Sequence, residues 1–123
     1  MKIKYPIALF LIVFLFLSMS CSKSKTVTLN LSNNQNIAVA YAGYYSLNDG
    51  AEESISGTTP NEYEFVLEKG DKLAGLIYKS DSSNVTDTLV FKVYVDDVEQ
   101  TDLTRNIVIP TEIGGVQFQI TVQ

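Results

Sequence analysis

One thiol and no imidazole bound what the side chains of this sequence can do. Cys21 is the only cysteine, and histidine and tryptophan are absent from all 123 residues. Nucleophilic catalysis of the Ser-His-Asp or Cys-His kind relies on an imidazole to carry the proton, so it is excluded in its usual form. Zinc and copper sites draw on His or Cys ligands that this chain cannot assemble. Carboxylates are plentiful, with 14 Asp and Glu, and two facing carboxylates could hydrolyse a glycosidic bond. The pairs Glu52-Glu53 and Asp96-Asp97 fall in expected turns, however, where acids make a solvated surface that keeps a domain soluble. Asp96, Asp97, Glu99 and Asp102 are close in sequence, and oxygen ligands suit calcium. Their spacing fits no calcium-loop motif, and successive residues of a strand point to opposite faces. The expectation is a non-enzymatic domain with no metal and no cofactor.

The tyrosines are the better lead. Tyr41, Tyr44 and Tyr45 cluster at the end of one expected strand, and Tyr63, Tyr78 and Tyr94 fall on others. Residue parity puts Tyr41 and Tyr45 toward one face and Tyr44 on the other. An exposed tyrosine buries ring area while its hydroxyl stays wet, which makes Tyr41, Tyr44 and Tyr45 candidates for binding a glycan or a protein partner. The plainer reading, which the sequence favours, is that tyrosine suits a strand surface and fills a small core without tryptophan.

What positions Cys21 is the segment before it. Lys2 and Lys4 form a basic start, residues 7–17 are an unbroken apolar run, and Ser18-Met19-Ser20 precede the thiol. That order is the pattern of a secretory signal, and the run is shorter than the roughly 20 apolar residues of a spanning helix. Residues 18–21 resemble a bacterial lipobox, which implies that Cys21 is lipidated on its sulfur and becomes the new N-terminus. Ser20 suits the residue before the cut, while Ser18 stands where a lipobox usually carries Leu. The alternatives are ordinary cleavage, leaving a soluble protein with a free N-terminal thiol, and an uncleaved signal anchor. With two or three acyl chains, each contributing about 0.8 kcal/mol per buried methylene, attachment would be effectively permanent. Ser22 after the thiol resembles a sorting pattern for the outer membrane. The expected address is therefore the cell envelope, lipid-anchored, on the periplasmic side.

The leader carries Lys2 and Lys4 and no acid, so its removal takes the net charge from −5 to −7. That balance argues against nucleic acid and anionic lipid surfaces as partners. With no second cysteine there is no intramolecular disulfide, and packing alone must stabilise the fold. The expected division is a signal peptide over 1–20, the lipidated cysteine and a short tether over 21–25, and one domain over 26–123.

Within that domain the two-residue period of half-buried strands dominates. Val27, Leu29 and Leu31 alternate with Thr28 and Asn30; Ile37, Val39 and Tyr41 alternate with alanines; Tyr63, Phe65 and Leu67 alternate with glutamates. Residues 73–78 form a more continuously apolar strand, in which Gly75 marks a bulge or a close backbone approach. The strongest strand is 86–95, and Asp96-Asp97 reads as a tight hairpin turn, a weaker signal than Asn-Gly. Val116, Phe118, Ile120 and Val122 form the last strand, and Pro110 favours a strand end after residues 107–109. Turn clusters occupy 32–36, 48–50, 56–61 and 81–84. About seven short strands and no helical period predict a single antiparallel β-sandwich, immunoglobulin-like or transthyretin-like, with a small open barrel as the alternative.

Two stretches carry a family likeness. Residues 59–71, Thr-Pro-Asn-Glu-Tyr-Glu-Phe-Val-Leu-Glu-Lys-Gly-Asp, lead into the return strand 73–80, and residues 90–99 read Val-Phe-Lys-Val-Tyr-Val-Asp-Asp-Val-Glu. Together they resemble the core of MmpS-like small envelope proteins and of small bacterial lipoproteins with the same β-sandwich. The likeness spans about residues 37–101. It implies a non-enzymatic envelope protein, accessory to a membrane complex through a protein partner. The chain departs from that family in having a lipid-type anchor rather than a transmembrane helix, and in having Asp97 where the hairpin commonly has Gly.

Overall fold

The structure is a computed structural model and describes residues 24–123. Alternating apolar residues dictate its elements: nine strands and two single-turn 3-10 helices, with no α-helix among the described residues. The strands are β1 Lys25–Ser32, β2 Ala40–Leu47, β3 Glu53–Thr58, β4 Asn61–Leu67, β5 Lys72–Lys79, β6 Leu89–Val95, β7 Val98–Glu99, β8 Arg105–Ile107 and β9 Val116–Thr121. They form two antiparallel sheets. Sheet A has the order β9-β5-β2-β3. Sheet B has the order β4-β1-β6, and the short strands β7 and β8 follow one another along the remaining edge of β6. The sheets pack face to face as a β-sandwich, not as a barrel.

The core lies between the sheets and comes from single-parity rows. Val27, Leu29 and Leu31 of β1, Leu89, Phe91 and Val93 of β6, Leu73 and Ile77 of β5, and Phe118 and Ile120 of β9 are all buried. Rings cross the interface: Phe91 meets Phe118 at a centroid distance of 5.3 Å, and Tyr45 meets Phe65 edge-on at 4.9 Å. At about 25 cal/mol per Å² of apolar surface removed from water, such rows supply most of the driving force for folding.

The expected Asp96-Asp97 turn is present and tight. Both residues have positive φ, 48° and 66°, the geometry of a two-residue type I′ hairpin. Asp96 also extends the β1–β6 ladder past its end, its N–H donating to the Thr26 carbonyl at 2.8 Å and its Oδ1 accepting from the Thr26 N–H at 2.9 Å. Gly75 makes the close approach that its place in a strand implied. A Cβ there would stand 2.2 Å from the Tyr44 carbonyl oxygen, and one at Gly43 would stand 2.0 Å from that of Leu76. Without side chains at these two positions, β2 and β5 come into close backbone contact.

Five local expectations are corrected. The strand read from Ile37 starts only at Ala40 and runs on to Leu47, because a loop held by Asn33 occupies 33–37. Asn33 Oδ1 accepts the N–H groups of Gln35 and Ile37. The stretch 56–61 is a turn only at Thr59-Pro60, since β3 and β4 run into it from both sides. Glu53, expected in a turn, opens β3, an edge strand with the single apolar side chain Ile55 and hence no alternation to read. The strand expected over 86–95 begins at Leu89, because residues 80–88 form a loop bound to Lys79. Lys25, expected in the tether, instead opens β1 and pairs with Leu67.

Candidate functional site

The outer face of sheet A is where an aromatic side chain meets open surface. Tyr44 projects from β2 between Ser54 of β3 and Leu76 of β5, with Gln117 of β9 beyond Leu76 in the same row. Ala42 and Ser46 flank it along β2, and Ala74 faces Ser46 across the strand pair. Small side chains thus flank the ring along β2, with Leu76 beside it on β5. Two shallow grooves meet at it: Ser46, Glu52, Ala74 and Gln119 line one, and Leu76, Glu112, Ile113 and Gly115 line the other, with Gln117 common to both. The arrangement offers an aromatic surface beside amide and hydroxyl groups.

The three candidate tyrosines do not form one platform. Parity is as expected, with Tyr41 and Tyr45 facing inward and Tyr44 outward. Tyr41, however, is fully buried, which removes the exposed surface expected of it. Its ring meets Tyr63 edge-on at 6.3 Å, its hydroxyl lies 2.6 Å from that of Tyr63, and Asn61 Nδ2 donates to it at 2.6 Å. Burial, reinforced by the Tyr63 hydroxyl, pushes the Tyr41 phenol well above its ordinary value. Tyr45 packs its ring on Phe65 at the margin of the core. Only Tyr44 presents its ring to the outer face. Cys21, the lipidation candidate, lies outside the described residues.

The acids are dispersed into local roles. Asp71 Oδ2 accepts the Glu68 N–H at 2.8 Å and Oδ1 accepts from Asn48 Nδ2 at 3.1 Å; these bonds hold its carboxyl below the usual range. Asp81 is lowered in the same way by the hydroxyl and N–H of Ser83. Glu99 accepts from the Thr104 hydroxyl at 2.8 Å, while Asp96 caps β1. Among the described residues no three acidic, His or Cys side chains converge on a point that could hold a metal ion. Also among them, no helix is long and apolar enough to cross a membrane.

Sequence reasoning passed over Lys79. It is fully buried, and its Nζ donates to the carbonyl oxygens of Val108, at 2.9 Å, and Asp87. Asn84 Oδ1 lies 3.5 Å away. Parity was the available signal, since Lys79 continues the inward row of Leu73, Gly75 and Ile77. Thr59 was passed over too: its buried hydroxyl accepts the Val39 N–H and donates to the Ile37 carbonyl, both at 2.9 Å, taking the place of strand backbone.

No protein-family model, curated protein or solved structure matches this chain.

Proposed function

We propose that this chain is a lipid-anchored protein of the bacterial cell envelope, in the outer membrane facing the periplasm, whose non-catalytic sandwich serves as an interaction module of an envelope complex. The observation that carries this reading is how closely folded structure follows Cys21. Pairing between β1 and β4 begins at Lys25, four residues after the thiol, so an anchored Cys21 holds the domain directly against the bilayer. The dispersed acids and the lack of histidine agree with a binding role rather than a catalytic one. The decisive measurement is the intact mass of the chain extracted from membranes. A mass increased by two or three acyl chains, with release of Cys21→Ser into the aqueous fraction, supports the reading; a bare polypeptide in that fraction removes it.

Tyr44 favours a second reading, in which the outer face of sheet A binds a neutral oligosaccharide. Both sides of its ring border a groove, and Gln117, Gln119 and Ser46 offer hydrogen bonds to sugar hydroxyls. Saturable binding to a defined oligosaccharide array, lost in Tyr44→Ala with the melting temperature unchanged, supports this use. Equal binding by wild type and variant counts against it.

A further inference from the structure

The domain has a polarity set by where its strands begin. Lys25 starts β1 at the end that also holds the Asp96-Asp97 hairpin, the Gly70 turn and the Asn48-Asp49 turn. Four chain steps of at most about 3.6 Å link this end to Cys21. Eight residues of β1, each rising about 3.3 Å, carry the chain roughly 25 Å to the opposite end. There the loops 80–88 and 108–115 expose aliphatic side chains: Val85 is 63% exposed, Ile109 61% and Ile113 97%, with Val108 exposed beside them.

These loops are stapled in place. Lys79 binds the carbonyls of Asp87 and Val108, tying the two loops to one buried ammonium group. Asn33 Nδ2 donates to the Thr88 carbonyl at 2.8 Å and adds the 33–37 loop. Ile109 packs over Gly114, where a Cβ would stand 2.6 Å from its own, and Ile113 continues into the groove beside Leu76 and Tyr44. Exposed aliphatics held by fixed backbone are presented at little ordering cost when a partner arrives.

Charge says what kind of partner that is. The loops carry Asp81, Asp87 and Glu112, while their cation, Lys79, is buried. Arg105, at the start of β8, turns its guanidinium back onto the carbonyls of Asp102 and Thr104. Acids on the same loops as the exposed aliphatics, Glu112 directly beside Ile113, complement a surface that combines an apolar patch with Lys and Arg, and they are repelled by an anionic bilayer.

We infer that the end remote from Cys21, centred on Val108, Ile109 and Ile113, docks a folded envelope protein through an apolar patch combined with basic residues. The inference rests on the anchored reading, because the anchor is what directs these loops away from the membrane.

The test uses the full chain in intact cells, with a photo-crosslinking phenylalanine analogue at Ile113 or, as control, at the exposed Val98 near the anchored end. The expected result is a discrete protein adduct at Ile113 and none at Val98, with a severalfold loss when Glu112→Lys reverses the neighbouring charge in the same chain. An adduct indifferent to Glu112→Lys, an adduct with lipid or with a second copy of this chain, or no adduct overturns the inference. The N-terminal peptide mass from the same cells separates the two readings. An acylated Cys21 without an adduct defeats the docking surface alone. A bare Cys21 with the adduct intact defeats the anchor, and with it the direction of these loops away from the membrane.

Discussion

The hydroxyls of Tyr41 and Tyr63 meet 2.6 Å apart between the two sheets, and Asn61 completes the cluster by donating to Tyr41. A buried polar group is tolerated when its partners are all present and costly when one is removed. Tyr41→Phe strands the Asn61 amide and leaves the Tyr63 hydroxyl without its protein partner, and should cost about 1–2 kcal/mol. Urea denaturation of the variant measures this directly.

The same cluster makes stability depend on pH at the alkaline end. The Tyr41 phenol is raised above its ordinary value of 10.0, by burial first and the Tyr63 hydroxyl second. A group that holds its proton more tightly when folded contributes fully below its unfolded value and loses that contribution as pH rises beyond it. Stability should fall as pH is raised above about 10, and Tyr41→Phe should flatten that part of the profile. An identical alkaline slope in wild type and variant would assign the loss to other groups.

Lys79 is a buried cation fixed by neutral oxygens. Lys79→Met keeps the apolar stem but leaves the Asp87 and Val108 carbonyls without their donor. The expected cost is about 2–4 kcal/mol, and hydrogen exchange should accelerate in residues 80–88 and 108–115 more than in β1. Lys92→Met, on the outer face of sheet B, should change stability by less than about 0.5 kcal/mol.

How far the sequence could be read follows from where its alternation was clean. In β1, β6 and β9 every second residue is apolar, and the buried rows match it: Val27 to Leu31, Leu89 to Val93, Phe118 to Val122. Alternation fails in β3, an edge strand of Glu, Ser, Gly and Thr whose only apolar side chain, Ile55, packs against the core. It also misleads at Ile37, where Asn33 draws the backbone into a loop before the strand begins. At the candidate site, parity assigned each tyrosine to its face. Exposure depended on the opposite sheet, since Tyr63 covers Tyr41 and Phe65 covers Tyr45, while Tyr44 faces outward, half-buried between two grooves. Pairings between strands distant in sequence are the part that local pattern does not encode.

Tyr44 and Tyr45 are neighbours with opposite exposure, and truncation should separate them. Tyr45→Ala removes a ring packed 4.9 Å from Phe65 and should destabilise by about 2–4 kcal/mol, toward the range of buried aromatic truncations. Tyr44→Ala removes an outward ring and should cost less than about 1 kcal/mol. Thermal melts of the two variants provide the comparison, and equal losses would place Tyr44 in the packing rather than on a binding face.

The Asp96-Asp97 hairpin offers a gain in stability. Both residues are in the left-handed region, which costs a residue with a side chain about 1–2 kcal/mol relative to glycine. Glycine returns part of that through its greater freedom in the unfolded chain. Asp97 has an exposed side chain, so Asp97→Gly should stabilise by about 0.5–1 kcal/mol. Asp96 differs because its Oδ1 accepts the Thr26 N–H at 2.9 Å. Asp96→Gly gives up that bond as it relieves the backbone, and the two effects nearly cancel. Chemical denaturation of both variants therefore tests whether the side chain at position 96 caps β1: a gain at 97 without one at 96 is the expected outcome, and equal gains would show that the Thr26 bond contributes nothing.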